Sequence, residues 1–255
     1  MGRILKYVFY DLLKTRFLLF YTLFLFVSTF AMFQLDSDPN KVILSLMSIV
    51  LMVMPLISIV FATIHFYNSY EFIELMLAQP IDRKVVFMSE YLGVALSLSS
   101  AFLMGTGIPI LFYGVSDSAV MLLVVGTLLT VVFVSLAFLS SVLTRDKAKA
   151  IGIALLFWFY FSLIYDGILL WIIYTFSDYP LEKATLALVS LNPVDLGRIM
   201  MLLTLDVSAL MGYTGAFYRA FFGSYVGLLF SVGVLLLWVF VPTYFSTRIF
   251  SRKDL

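Results

Sequence analysis

The chain has 255 residues, of which 63% are apolar and only 12% charged, about half the charged share of a soluble domain. Its 26 Phe, 15 Tyr and 3 Trp carry more apolar surface than one aqueous core of this size hides, so an ordinary soluble domain is excluded and lipid is the expected solvent. A net charge of +1 leaves no global field to recruit nucleic acid, and zero Cys with a single His exclude disulfides, thiol nucleophiles and Cys- or His-rich metal sites.

A bilayer core about 30 Å thick takes about 20 apolar residues per helix. Six runs of this kind are predicted, at 17–33, 42–64, 86–114, 118–143, 150–176 and 222–246. The fold class is therefore all-α, a polytopic membrane protein with one transmembrane domain over 1–255. Ahead of the first run, residues 1–16 place Ile4, Leu5, Val8, Phe9, Leu12 and Leu13 on one helical stripe, with Lys6, Asp11 and Lys14 on the polar side. That pattern predicts an interfacial helix along the membrane surface. The run at 17–33 exceeds a signal-peptide core and no A-x-A site follows it, so it reads as a retained span.

The second connection, 68–84, reads NSYEFIELMLAQPIDRK. Phe72, Leu75, Met76 and Leu77 recur at helical spacing, Ser69 is positioned to cap, and Glu71 and Glu74 sit in the early turns, where a helix dipole favours anions. Pro80 ends the helix. A short helix with an apolar stripe between two spans suits docking into a groove of another protein. The competing reading, a helix floating on headgroups, conflicts with two acids beside an anionic leaflet. His65 and Glu90 are expected at the same interface, the lone His in a structural role. In the third run, Gly105-Thr106-Gly107-Ile108-Pro109 predicts a kink or an unwound turn. The fourth connection, TRDKAK at 144–149, is a tight basic turn.

Asp166 is the one acidic residue well inside a run. An ionisable group there must face protein or water, which makes it a functional candidate; a carboxyl held silently by Tyr165 or a facing helix is the structural alternative. The fifth connection, 177–221, is too long to lack structure. Asn192-Pro193 starts a helix whose apolar content is high for free solution and whose length is short for a span. It is expected to lie on, or re-enter, the outer leaflet and cap the bundle. The 12 Met allow a thioether route for Cu(I), although Met is also ordinary core filler.

Lys and Arg divide unevenly between alternate connections. Twelve fall on the side holding both termini and four on the other, so the N and C termini are expected in the cytoplasm. No G-x-x-x-x-G-K-[ST] occurs, nor a G-x-S-x-G or H-E-x-x-H, so an enzyme reading has little to stand on.

The order of elements resembles the type-2 ABC exporter permeases over nearly the whole chain. YEFIELMLAQPIDRKVVFMSEYLG is similar to that family's coupling region, the match resting on Glu71, Leu77, Pro80 and Arg83. The resemblance implies that Glu71, Phe72, Leu75, Met76, Pro80 and Arg83 couple to a separate ABC ATPase subunit, which uses ATP and Mg. It also implies two copies of the chain per transporter in the inner membrane, with no cofactor on the chain itself. A narrower likeness covers 190–223, where Asn192, Pro193, Asp195, Arg198, Asp206, Gly212, Tyr213, Thr214 and Gly215 resemble the outer region of the NosY-type permeases. These support copper-site assembly of nitrous oxide reductase, and the likeness implies a NosF-like ATPase, a NosD-like periplasmic protein, a NosL-like copper chaperone, and an outer partner-facing surface at Asn192, Pro193, Asp195, Arg198, Asp206 and Tyr213. Three rivals stay open at this point: another exporter of the same class, an ion-coupled carrier using Asp166, and a passive scaffold.

Overall fold

The computed structural model describes residues 2–36, 38–177, 179, 182–205 and 221–252, with the backbone alone at 182 and 183. The described residues are predominantly helical, with no strand among them. In chain order they form α1 (Gly2–Leu13), α2 (Arg16–Leu35), α3 (Pro39–Asn68), α4 (Tyr70–Leu77), α5 (Arg83–Tyr113), α6 (Asp117–Leu143), α7 (Lys147–Thr175), α8 (Glu182–Ser190), α9 (Pro193–Thr204) and α10 (Tyr225–Arg252). Six of these, α2, α3, α5, α6, α7 and α10, are long and apolar enough to cross a membrane, and each carries one predicted run. The last span begins at Tyr225 rather than 222, because a turn precedes it in which Ser224 Oγ accepts the Gly227 N–H at 3.0 Å.

The core is built around α6, which packs against α3, α5, α9 and α10. Its apolar residues point in all directions, and Leu122, Val125, Leu129, Val132, Phe133 and Phe138 are fully buried, as expected of a helix apolar on every face. At one end, Phe66, Phe87, Phe138 and Phe250 from four different helices meet with centroids 5.0–6.4 Å apart, mostly edge to face. Such offset ring pairs add to simple area burial, and here they clamp α3, α5, α6 and α10 beneath the second connection.

Two of the spans contain π-helical turns. One, Leu103–Gly107, lies in the Gly-Thr-Gly segment of α5 where a kink is expected. The other, Tyr160–Ile164 in α7, has no glycine or proline to announce it. The N-terminal helix carries the predicted stripe, but the stripe faces protein: Val8 and Leu12 are buried and α1 lies along α5. Its outer face is left with Arg3, Lys6, Tyr10, Asp11 and Lys14.

The fifth connection folds back against the bundle. Residues Ala184–Ser190 and α9 meet at 111°, and α9 then runs against α3, α6 and α10. Gly197 makes this possible, since a Cβ there would come within 2.8 Å of Val125 Cγ1 on α6.

Candidate functional site

Two polar constructions stand out at opposite ends of the bundle. The first is a foot formed by α4. Ile73 is its anchor at 1% exposed, and Phe72, Met76 and Leu77 pack partly against the core. The predicted apolar stripe thus divides: Phe72 and Met76 turn largely inward, while Leu75 stays 66% exposed. With Glu71, Glu74 and Ala78 also exposed, the outward face reads 71, 74, 75, 78, one helical stripe of two acids and two apolar side chains. Pro80 is exposed at the end of the foot and Arg83 half-buried at the start of α5.

The foot is held by contacts that short-range sequence patterns do not reveal. Tyr7 of α1 stacks on Phe72 with centroids 5.5 Å apart, so the N-terminal helix braces α4. Ser69 does not cap α4 through its side chain; its hydroxyl instead lies 3.2 Å from His65 Nε2. His65 in turn pairs with Glu90 of α5 at 3.1 Å, and Glu90 is only 1% exposed. A buried carboxyl therefore ties the α3–α4 junction to the next span. Asp82 starts α5 by accepting the Lys84 N–H at 3.0 Å. Tyr67 donates to the Ser141 and Thr144 carbonyls at 3.2 and 3.1 Å, satisfying the end of α6. Lys147 donates to Asn68 Oδ1 at 2.8 Å. The N-terminal helix, the second and fourth connections and the end of α10 thus share one end of the molecule, which is where alternating basic connections would place them.

At the other end, Asp166 of α7 meets α9. Arg198 Nη1 donates to Asp166 Oδ2 at 2.8 Å and to Asp195 Oδ1 at 3.0 Å. Asn192 completes the set: Nδ2 donates to Asp195 Oδ2 at 2.8 Å and to the Phe161 carbonyl at 2.9 Å. Its Oδ1 accepts the Val194 N–H at 3.0 Å, capping α9. The Phe161 carbonyl has a reason to be available, because in the π turn the Tyr165 N–H donates to Tyr160 instead. Tyr165 adds a second tie by donating to the Leu188 carbonyl at 2.6 Å.

This arrangement corrects part of the sequence reading. Asn192, Pro193 and Asp195 are buried within the chain and present no surface to an outer partner; with Arg198 they bind α9 to α7. Asp206 and Tyr213, also expected to face a partner, lie outside the described residues. Sequence spacing gave no sign that Asp166 and Arg198 meet, although one acid and one base in adjacent apolar segments was the available hint. Among the described residues, no group of three or more His, Cys, Asp or Glu is placed to hold a metal.

Residues 4–255 match the family model described as ABC-2 family transporter protein. A protein of Pseudomonas aeruginosa described as a probable ABC transporter permease protein NosY is 31% identical over 180 residues, covering 66% of this chain and 66% of its own length. A protein of Stutzerimonas stutzeri with the same description is 29% identical over 236 residues, covering 83% of this chain and 80% of its own.

Proposed function

The chain belongs to the ABC-2 family of transporter proteins, and from that membership we propose that the exposed face of α4 is the foot through which a separate ABC ATPase drives it. It is a multi-pass inner-membrane permease with six apolar helices. The observation that carries the docking role is the stripe of Glu71, Glu74, Leu75 and Ala78, exposed on a short helix whose other face is anchored by Ile73. Pro80 and Arg83 extend the same surface toward α5. Rigid bracing by Tyr7 and the His65–Glu90 pair lets a push on α4 reach α3 and α5 instead of being lost in a floppy loop.

In this reading both termini face the cytoplasm, ATP and Mg belong to the ATPase, and two copies of the chain form one transporter. The charged cluster supports pairing. Asp166 and Arg198 retain 30% and 35% side-chain exposure on the sparsely buried span α7, and charges at such a position call for protein or water cover. A second copy supplies it. The NosY description of two relatives favours a Nos-type system, with a NosF-like ATPase, a NosD-like periplasmic protein and a NosL-like chaperone as partners and copper-site assembly of nitrous oxide reductase as the task. Copper is then cargo of the whole assembly.

The test is co-expression with a NosF-like ABC ATPase, followed by purification and ATPase assay in lipid nanodiscs. Reversing Glu71→Arg together with Glu74→Arg is expected to lower permease-stimulated turnover about tenfold or more, since like charges brought together cost several kcal/mol, while the membrane dimer still assembles. Unchanged stimulation, or cross-linking that finds residues 69–80 clear of every ATPase, overturns the proposal.

A further inference from the structure

A groove of about 520 Å³ opens between the start of α5 and the last turns of α10, at the same end of the molecule as the foot. Its wall is graded. Phe240 and Tyr244 line the deeper part and are 64% and 60% exposed; Thr247 follows, and then Arg248 and Arg252, joined from α5 by Lys84. Residues 240, 244, 248 and 252 succeed one another at i, i+4 spacing, so aromatic and basic groups form one stripe along a single face of α10. At 1.5 Å per residue the stripe is about 18 Å long, close to the depth of one leaflet from mid-hydrocarbon to headgroup.

Among the described residues, three cations line the groove and no acid does. Asp82, two residues before Lys84, does not line the groove, and its carboxylate accepts the Lys84 backbone N–H at the α5 cap; Asp254 lies outside the described residues. A soluble acidic peptide fits poorly, because half of the stripe belongs to a membrane-crossing helix and offers exposed rings to hydrocarbon. Basic pockets between spans near a headgroup plane are suited to anionic lipid. We propose that this groove binds an anionic phospholipid, its phosphate between Lys84, Arg248 and Arg252 and one acyl chain along Phe240 and Tyr244. The bound lipid would bridge the third and last spans at the end where the foot is driven.

The experiment titrates phosphatidylglycerol into the purified protein in phosphatidylcholine nanodiscs, counting retained lipid by native mass spectrometry. Each basic residue contributes roughly fivefold to anionic-lipid affinity, so the Arg248→Gln, Arg252→Gln double variant is expected to bind about twenty-fivefold more weakly. Arg252→Gln alone, at the helix end, should lose about fivefold and guards against a folding defect in the double variant. Lys6→Gln with Lys14→Gln removes equal charge from the outer face of α1 and should leave affinity within about twofold. Equal losses in the groove and control variants would mean diffuse surface attraction and overturn the site. So would unchanged binding in the groove variants. Millimolar inorganic phosphate is a separate arm: failure to displace the lipid supports the proposal, whereas full displacement makes the groove a free-phosphate site and overturns it.

Discussion

The two ends of this protein use the same kinds of side chain to opposite effect. At the foot, Glu71 and Glu74 stand exposed with no ion pair drawn to them among the described residues, and the polar groups behind them, Ser69, His65 and Glu90, serve to fix the α3–α4 junction. At the opposite end, Asp166, Asp195, Arg198 and Asn192 turn on one another. Water explains the contrast. An exposed carboxylate keeps its hydration and stays available to a partner, whereas one at membrane depth is stable only when a cation and donors replace that hydration. Changes at the foot should therefore act on coupling with little effect on folding, and changes in the charged cluster should act on folding first.

The most severe test of that contrast is Arg198→Ala. It leaves two carboxyl groups facing one another without their shared cation, and one of them, Asp195, is 4% exposed. Loss of a partner from a fully buried ion pair costs about 3 to 5 kcal/mol. Because Arg198 is itself a third exposed, about 2 to 3 kcal/mol is expected. The readout is chemical or thermal unfolding in detergent, with faster hydrogen exchange along α9. An unchanged unfolding midpoint would mean that the cluster is not what holds α9 against α7.

Within the foot the same logic separates two neighbouring apolar residues. Ile73 is buried and Leu75 exposed, so Ile73→Ala is expected to lower the stability of the α4 region by about 2 kcal/mol. Leu75→Ala should stay within about 0.5 kcal/mol and yet weaken ATPase stimulation. Hydrogen exchange on α4 and turnover in nanodiscs read the two effects separately. If both variants loosened α4 alike, the outward face assigned to 71, 74, 75 and 78 would be wrong.

How far the sequence foretells these features depends on the range of the interaction. Span number and approximate limits follow from local hydropathy, because each helix must satisfy its own backbone in lipid whatever its neighbours do. The stripe of α1 is equally local, but what it faces is not: the pattern of Val8 and Leu12 fits a headgroup region as well as it fits α5. For α4, Phe72 and Leu75 look alike in a periodicity argument, and only the positions of α3, α5 and Tyr7 decide which one turns inward. The charged cluster was least legible. Asp166 and Arg198 are 32 residues apart, and the π turn that frees the Phe161 carbonyl for Asn192 arises in YFSLI, a segment with no helix breaker. Glycines were more informative at Gly105, where the span was expected to deform and does, than at Gly197, whose role appears only once α6 lies against it.

The smallest expected effect is the one that most sharpens the reading of Asp166. Replacing it by Asn removes one of two carboxyl groups that share a single guanidinium, and the Arg198–Asp195 pair at 3.0 Å survives. The amide oxygen still accepts from Arg198. Asp166→Asn is therefore expected to cost less than about 1 kcal/mol, far less than Arg198→Ala, even though both break the same contact. The asymmetry is the signature of an anchoring role, since a cation serving two acids is harder to lose than one of the acids. A carrier that passed protons or ions through Asp166 would behave the other way, with folding intact and transport abolished by the loss of a titratable carboxyl. Measuring the unfolding midpoint and ATPase-driven function on the same Asp166→Asn preparation separates these cases: near-normal function places Asp166 with the structural groups of the charged cluster, and a folded but inactive protein moves it into the transport path.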